Sequence, residues 1–328
     1  MTDRQDPLMA DLLIRHAYVI TMDDAGTLIP DGAIAIAGRR IVRVGPDASV
    51  ADGVRAARVI DAKGAPIHPG MVETHLHASY QTFRSVIPDG IREVDAFPTV
   101  EKRFYDVVTA EEEELGALLA CLEMVRNGTT CFLEAGTFLF PDAGASAATT
   151  VGIRALLGDV CINDQPGGFA QGKEARRTGS DFITRAPQDL DEALAILGTQ
   201  LRRNADPDAL VRGHIAVMGL GTASETLLRE AKRLANEAGV VLNMHHAYSI
   251  ADTEADRIRY GKDPVLHLVE TGIIDRHTTL GHANHLTDAE ADALLATGAS
   301  IAWAPAASMM WGHGGTDRKS TRLNSSHT

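Results

Sequence analysis

At 328 residues, with 45% apolar and 23% charged side chains, the chain has the composition of a soluble globular protein, large enough for one α/β barrel or for two domains. A formal charge of −13 argues against nucleic acid and anionic membranes as partners, because most of the surface would repel them. Cys121, Cys131 and Cys161 lie in apolar runs without CxxC or zinc-finger spacing, and MTDRQDPLMADLLIRH has no export signal, so a reducing cytoplasm is the expected location.

Residues 1–66 read as β structure. The runs DLLIRHAYVITMD, GAIAIAGRRIVRVG and RVIDAKGAPI are short, rich in Val and Ile, and divided by Gly, Asp and Pro, as in part of a small β-sandwich or a hairpin meander. From residue 67 apolar strands alternate with helix-period segments, the pattern of βα units around a parallel sheet. The predicted strands are IHPGMVETH (67–75), TTCFLEAG (129–136), GIRALLGDV (152–160), LVRGHIAVM (210–218), VVLNMHHA (240–247), TTLGHA (278–283) and ASIAWAP (299–305). Helices are predicted at 109–127, 144–150, 187–203, 222–238, 263–272 and 287–297. Thr109 and Asp189 supply helix starts, and Thr287 with Glu290 forms a capping box. The acidic run Glu111 to Glu114 reads as a solvated first turn favoured by the helix dipole.

A (β/α)8 barrel closes with eight strands, and seven leave an edge. The expected fold class is therefore α/β, a TIM-type (β/α)8 barrel lacking strand 8 over residues 67–316, preceded by a β-sandwich half-domain over 1–66. The last twelve residues, DRKSTRLNSSHT at 317–328, share no pattern with the rest and read as the translation of a sequencing-library adapter. On that reading the authentic chain stops near Thr316, C-terminally truncated before its eighth strand.

Catalytic groups of such barrels collect at the C-terminal ends of the strands. His75 and His77 end the first predicted strand, His245 and His246 the fifth, and His282 the sixth. Strand residues i and i+2 share a face, so the imidazoles of His75 and His77 can reach one ion together. Imidazole is a ligand for zinc and iron alike, and an ion held by a few histidines with an open position lowers the pKa of bound water toward neutrality. The strand 5 ligand is His245 or His246. His16 and His327 keep an ordinary surface reading.

The stretches PGMVETHLHASYQTFRS (69–85), LGALLACLEMVRNGTTCFLEAGT (115–137), GHANHLTDAEADAL (281–294) and IAWAPAASMMWGHG (301–314) resemble the amidohydrolase superfamily. The resemblance is to the branch with cytosine deaminase, atrazine chlorohydrolase and S-adenosylhomocysteine deaminase-like enzymes, and it extends to about residue 316. It implies that His75, His77 and His245 are metal ligands and that His282 orients substrate and attacking water. Strand 4 offers no lysine to bridge two ions, so one divalent metal ion is expected, zinc rather than iron. The implied activity is hydrolysis of a non-peptide C–N bond by a metal-activated water.

Two departures from the family pattern stand out. Tyr248 occupies the place of a glutamate that shuttles protons in deaminases of this branch, and a phenol with a reference pKa near ~10 is a poor shuttle at neutral pH. The strand 8 aspartate is absent; Asp317 mimics its Gly-Thr-Asp motif but comes too early for it. Gln81, Arg84 and Trp303 are candidate substrate-binding residues, and Met309, Met310 and Trp311 line a pocket or fill the core. The expected partner is a small-molecule substrate, with homo-oligomer formation left open. The rival readings are a catalytically inactive fragment that binds metal at most, a chlorohydrolase-type dehalogenase, and a metal-free binding barrel.

Overall fold

The structure, a computed structural model, describes residues 6–87, 100–160, 162–164, 185–219 and 221–312. The chain divides into two compact units, Met1–Gly70 and Met71–Thr328. The first contains β1 (Leu8–Ile20), β2 (Leu28–Ala37), β3 (Arg40–Pro46), helix α1 (Asp47–Asp52), β4 (Val54–Asp61) and β5 (Pro66–Ile67). They form one sheet in the order β3-β2-β1-β4, with β5 beside β1. β1 is antiparallel to β2 but parallel to β4 and β5, so this is a mixed sheet and not the meander that its hairpin-like sequence suggested. Side chains alternate between its faces. Ala33 and Ala35 of β2 pack with Leu13, Val50 and Val54, whereas Ile34 packs with Ala17 and Val19. A second sheet of a sandwich is not among the described residues of this unit.

The second unit opens with β6 (Met71–Leu76), a 3-10 turn at Ala78–Phe83, α2 (Lys102–Val107), α3 (Ala110–Arg126), β7 (Thr129–Glu134), α4 (Pro141–Val151) and β8 (Arg154–Leu157). It continues with α5 (Leu190–Ile196), β9 (Val211–Gly213), β10 (Ile215–Gly219), α6 (Glu225–Ala238), β11 (Leu242–His246) and α7 (Ile250–Tyr260). It ends with α8 (Pro264–Glu270), β12 (Thr278–His282), α9 (Asp288–Thr297), β13 (Ser300–Ala302) and α10 (Pro305–Trp311). Two four-stranded parallel sheets result, β6-β7-β8-β9 and β10-β11-β12-β13, each in chain order. The predicted strand 210–218 supplies both β9 and β10, divided at His214, so one continuous run ends the first sheet and begins the second.

The core of the second sheet follows strand periodicity. Leu242 and Met244 of β11 pack with Ile215, Val217, Leu280 and the Leu227, Ala231, Ala235 stripe of α6, which leaves Asn243 and His245 on the opposite face. The predicted helix 187–203 ends early: Gly198 sits at φ +86°, α5 stops before it, and the chain resumes as a 3-10 turn at Thr199–Ala205. Helix α7 escaped prediction because IADTEADRIRY is mostly polar; Ser249 and Asp252 start it with a capping box. The solvated first-turn reading of Glu111 to Glu114 fits the exposed Glu111 and Glu112 and is corrected at Glu113. Glu113 is fully buried and accepts from the backbone N–H of Leu139 and Phe140 at 3.0 and 2.8 Å, and burial pushes its carboxyl up to about 7. The eighth strand, the proposed tail and Asp317 lie outside the described residues. No helix among the described residues is long and apolar enough to cross a membrane.

Two expected outcomes follow from this packing. The Thr287 capping box also ties α9 to α8, because the second oxygen of Glu290 accepts from Val265 N at 3.1 Å. Thr287→Ala is expected to cost about 1 kcal/mol of stability in denaturant unfolding. Asp256 on α7 is 6% exposed, and burial together with the neighbouring Asp252 raises its carboxyl to about 7. The folded chain thus holds this proton more tightly than the unfolded chain does. The associated stability is full below about pH 4 and is lost as pH rises through 7. Melting profiles from pH 4 to pH 8 should show a shallower decline for Asp256→Asn; an unchanged slope would assign the pH dependence to other groups.

Candidate metal centre

The histidines meet because of strand register. β11 and β12 pair in parallel with His245 opposite Gly281 and His246 opposite His282, so both strands deliver imidazoles at their C-terminal ends. His75 is on β6 and His77 directly follows it. The His75 ring centroid lies 5.0 Å from that of His77, 4.8 Å from that of His245 and 4.8 Å from that of His282. One ring nitrogen from each of His75, His77 and His245 falls within 4.8 Å of the others. His246 is not in this group; it is buried beside His245, and burial lowers its imidazole to about 4.

The nitrogens suit one small cation. His245 Nε2 and His77 Nε2 are 3.4 Å apart. Two nitrogens each about 2.0–2.1 Å from a tetrahedral zinc ion would stand at nearly that separation. His245 Nδ1 lies 2.9 Å from the Met218 carbonyl, which can only accept, so Nδ1 carries the proton and Nε2 presents its lone pair. His77 Nδ1 is 3.3 Å from Thr137 Oγ1. Both ring nitrogens of His75 are shielded from solvent and have no hydrogen-bond partner among the described residues. Burial, aided by the neighbouring histidines, holds the His75 and His77 imidazoles well below their ordinary value, and burial brings His245 to about 4. Neutral imidazoles are the form that ligates a metal. By donor chemistry and by spacing, the three residues fit a divalent ion.

Gly281 makes the cluster sterically feasible, since a Cβ there would stand 2.8 Å from His75 Cε1. His282 and Ala283 adopt left-handed φ values of +70° and +49°, and Ala283 N donates to the His246 carbonyl at 2.9 Å. Such conformations cost energy in non-glycine residues and cluster at functional sites.

The remaining predicted site residues divide. The Tyr248 ring centroid lies 4.3 Å from that of His282. Gln81 Oε1 and Trp303 Nε1 are shielded from water without a hydrogen-bond partner among the described residues, so each has bonding capacity for a ligand. Arg84 differs from its substrate-binding expectation: its exposed guanidinium is paired with Glu123 of α3 at 2.7 and 2.8 Å. Met309 and Met310 are 76% and 69% exposed, so neither fills the core.

Sequence reasoning missed several neighbours of the cluster. Tyr80 stacks on His77 with centroids 5.4 Å apart, and its hydroxyl lies 3.2 Å from the Tyr105 hydroxyl and 3.2 Å from the Glu101 carboxylate oxygen Oε2. Asn243 is fully buried two residues before His245, and its amide is unpaired among the described residues. Glu134, at the end of β7, is fully buried; burial raises its carboxyl to about 7 against the opposing hydrogen bonds of Thr137 and Gly136. A carboxylate ending an otherwise apolar strand was the available signal for Glu134.

Among curated relatives, the 5-methylthioadenosine/S-adenosylhomocysteine deaminase of Nitratidesulfovibrio vulgaris (strain DSM 19637 / Miyazaki F) is 32% identical over 304 residues, covering 91% of this chain and 63% of that protein. The 5'-deoxyadenosine deaminase of Methanosarcina mazei is 31% identical over 312 residues, covering 92% of this chain and 64% of that protein. The chain thus spans 63% to 64% of the length of these relatives. Among solved structures, a zinc-bound adenosine deaminase from Xanthomonas campestris superposes with a TM-score of 0.82 at 25% identity, covering 97% of this chain and 68% of that one. Atrazine chlorohydrolase from Arthrobacter aurescens TC1, complexed with zinc, gives 0.80 at 23% identity over 95% of this chain and 70% of that one, a likeness of fold. The pattern of the amidohydrolase family matches residues 67–321, and the chain belongs to that family.

Proposed function

We propose that this chain carries the metal centre of a hydrolase acting on a non-peptide C–N bond, with His75, His77 and His245 holding one divalent ion, zinc rather than iron. The observation that carries the reading is the convergence of three neutral imidazoles from β6 and β11, with Nε2 atoms of His77 and His245 3.4 Å apart and their Nδ1 atoms already engaged. The alternation of parallel strands and helices in chain order supports a (β/α)8-type barrel as the scaffold. The names of the relatives point to an adenosine-type amine as substrate.

When bound, the ion supplies a water of lowered pKa as nucleophile. The carbon bearing the amine accepts the water oxygen, the C–N bond breaks, and the nitrogen leaves as ammonia with the water's proton. The chain's residues orient these partners. His282, with its ring beside His75 and Tyr248, stands at the C-terminal mouth of the strands, where it positions the substrate. Gln81 and Trp303 offer an acceptor and a donor for its polar edge.

A second reading, displacement of a halide, is favoured by Tyr248. A phenol is a weak proton shuttle at neutral pH, and chloride departs as an anion without needing a proton. Ammonia and chloride release from an adenosine-type nucleoside and a chlorotriazine therefore separate the two.

The zinc-loaded chain is expected to release ammonia, and His75→Ala is expected to lose both the bound zinc and the turnover. Turnover by a metal-free preparation, or stoichiometric zinc without either product, would overturn the catalytic reading. Gly281→Ala should push the His75 ring from its place and weaken zinc retention by about 10–100-fold in chelator competition, with far-UV circular dichroism unchanged. Full retention would show that His75 is not held by this contact.

A further inference from the structure

We propose that Thr137, backed by Glu134, is a positioning residue that fixes the proton of His77 on Nδ1 and thereby presents its Nε2 lone pair to the ion. This rests on the metal-site reading above.

A threonine hydroxyl has one proton and two lone pairs. Thr137 Oγ1 lies 2.5 Å from Glu134 Oε1. The same carboxylate receives the backbone N–H of Gly136 at 2.8 Å and that of Thr137 at 3.0 and 3.1 Å, so every group around it is a donor. Above about pH 7 the buried Glu134 carboxyl is ionised and has no proton to return, so the hydroxyl proton of Thr137 is committed to Glu134. Both lone pairs of Oγ1 remain. Ser79 Oγ faces one of them at 3.3 Å, and His77 Nδ1 faces the other at 3.3 Å. A lone pair toward Nδ1 demands a proton on Nδ1, which leaves Nε2 as the acceptor atom, 3.4 Å from its counterpart on His245.

The relay is held from behind. Thr137 is 1% exposed and Glu134 fully buried, so water does not compete for these bonds. The Tyr105 hydroxyl donates to the Thr137 carbonyl at 3.0 Å. Gly136 has φ +87°, the left-handed turn at which its own N–H and that of Thr137 point back onto Glu134, and a Cβ there would meet Ala216 Cβ at 3.0 Å. His245 obtains the same tautomer from a backbone carbonyl, that of Met218. His77 follows β6, and among the described residues its Nδ1 meets no such carbonyl; the side-chain relay from the loop after β7 takes its place. Partners of this kind fix the ring orientation of a metal-ligating histidine and tune its affinity.

The test has two parts. In the metal-free unsubstituted chain above pH 7, where Glu134 is ionised, long-range proton–nitrogen correlation spectra of the imidazoles are expected to show His77 with its proton on Nδ1; a proton on Nε2 would overturn the proposal. Zinc affinity is then measured by chelator competition. Thr137→Val, which keeps the shape and removes the hydroxyl, is expected to weaken zinc binding by about 10–100-fold, and Thr137→Ser, which keeps the hydroxyl, to restore it. A folded valine variant that binds zinc as tightly as the unsubstituted chain, while His77→Ala loses it, would overturn the role of Thr137 alone. Unchanged affinity in both Thr137→Val and His77→Ala would overturn the metal-site reading as well. The tautomer measurement needs no variant, so it decides the proposal even where the valine chain does not fold.

Discussion

Three partly to fully buried imidazoles whose ring nitrogens converge within 4.8 Å of one another are the constraint on which the rest of this unit depends. Burial lowers each pKa because the charged form is not solvated, so the rings stay neutral at physiological pH and act as ligands without first losing a proton. A buried polar atom without a partner costs free energy, and His75 has two of them. The scaffold tolerates that cost because the packing around the cluster is fixed elsewhere: by the Leu242, Met244 and Leu280 core behind β11 and β12, and by hydrogen bonds that already engage the Nδ1 atoms of His77 and His245.

Strand geometry converts this local chemistry into a site. Parallel pairing puts every C-terminal strand end at one side, and the register sets His245 opposite Gly281 instead of a side chain that would displace His75. The divided run at His214 matters in the same way. His214 N donates to the Leu157 carbonyl at 3.1 Å while its Nε2 donates to the Glu134 carbonyl at 2.9 Å, so the residue that separates β9 from β10 also grips the strand end behind Thr137.

The acidity of the chain is put to two uses. Much of the −13 charge is on the surface, but several carboxylates are buried where they accept backbone N–H groups that no strand or helix satisfies. Glu113 holds the turn at Leu139 and Phe140, Glu134 the turn at Gly136 and Thr137, and Asp159 the turn at Gly198 and Gln200. These loops follow or face the strands that carry the site. A carboxylate with one or more backbone donors fixes such a turn more firmly than a lone backbone bond would.

The sequence by itself determined the alternation of strands and helices, because period-2 and period-3.6 apolar patterns and the caps at Thr109, Asp189 and Thr287 are local properties. It also determined which histidines end strands, and the i, i+2 spacing of His75 and His77. The strand pattern left His245 and His246 open and the family resemblance favoured His245; in the tertiary structure it is His245 that joins His75 and His77, since adjacent strand residues face opposite ways and the choice depends on which face packs against α6. Tertiary structure likewise turned Arg84 to Glu123, buried Glu113, and brought Thr137 to His77 from 60 residues away. Contacts of that kind are set by register and by the shape of connecting loops, which no local pattern of residues encodes.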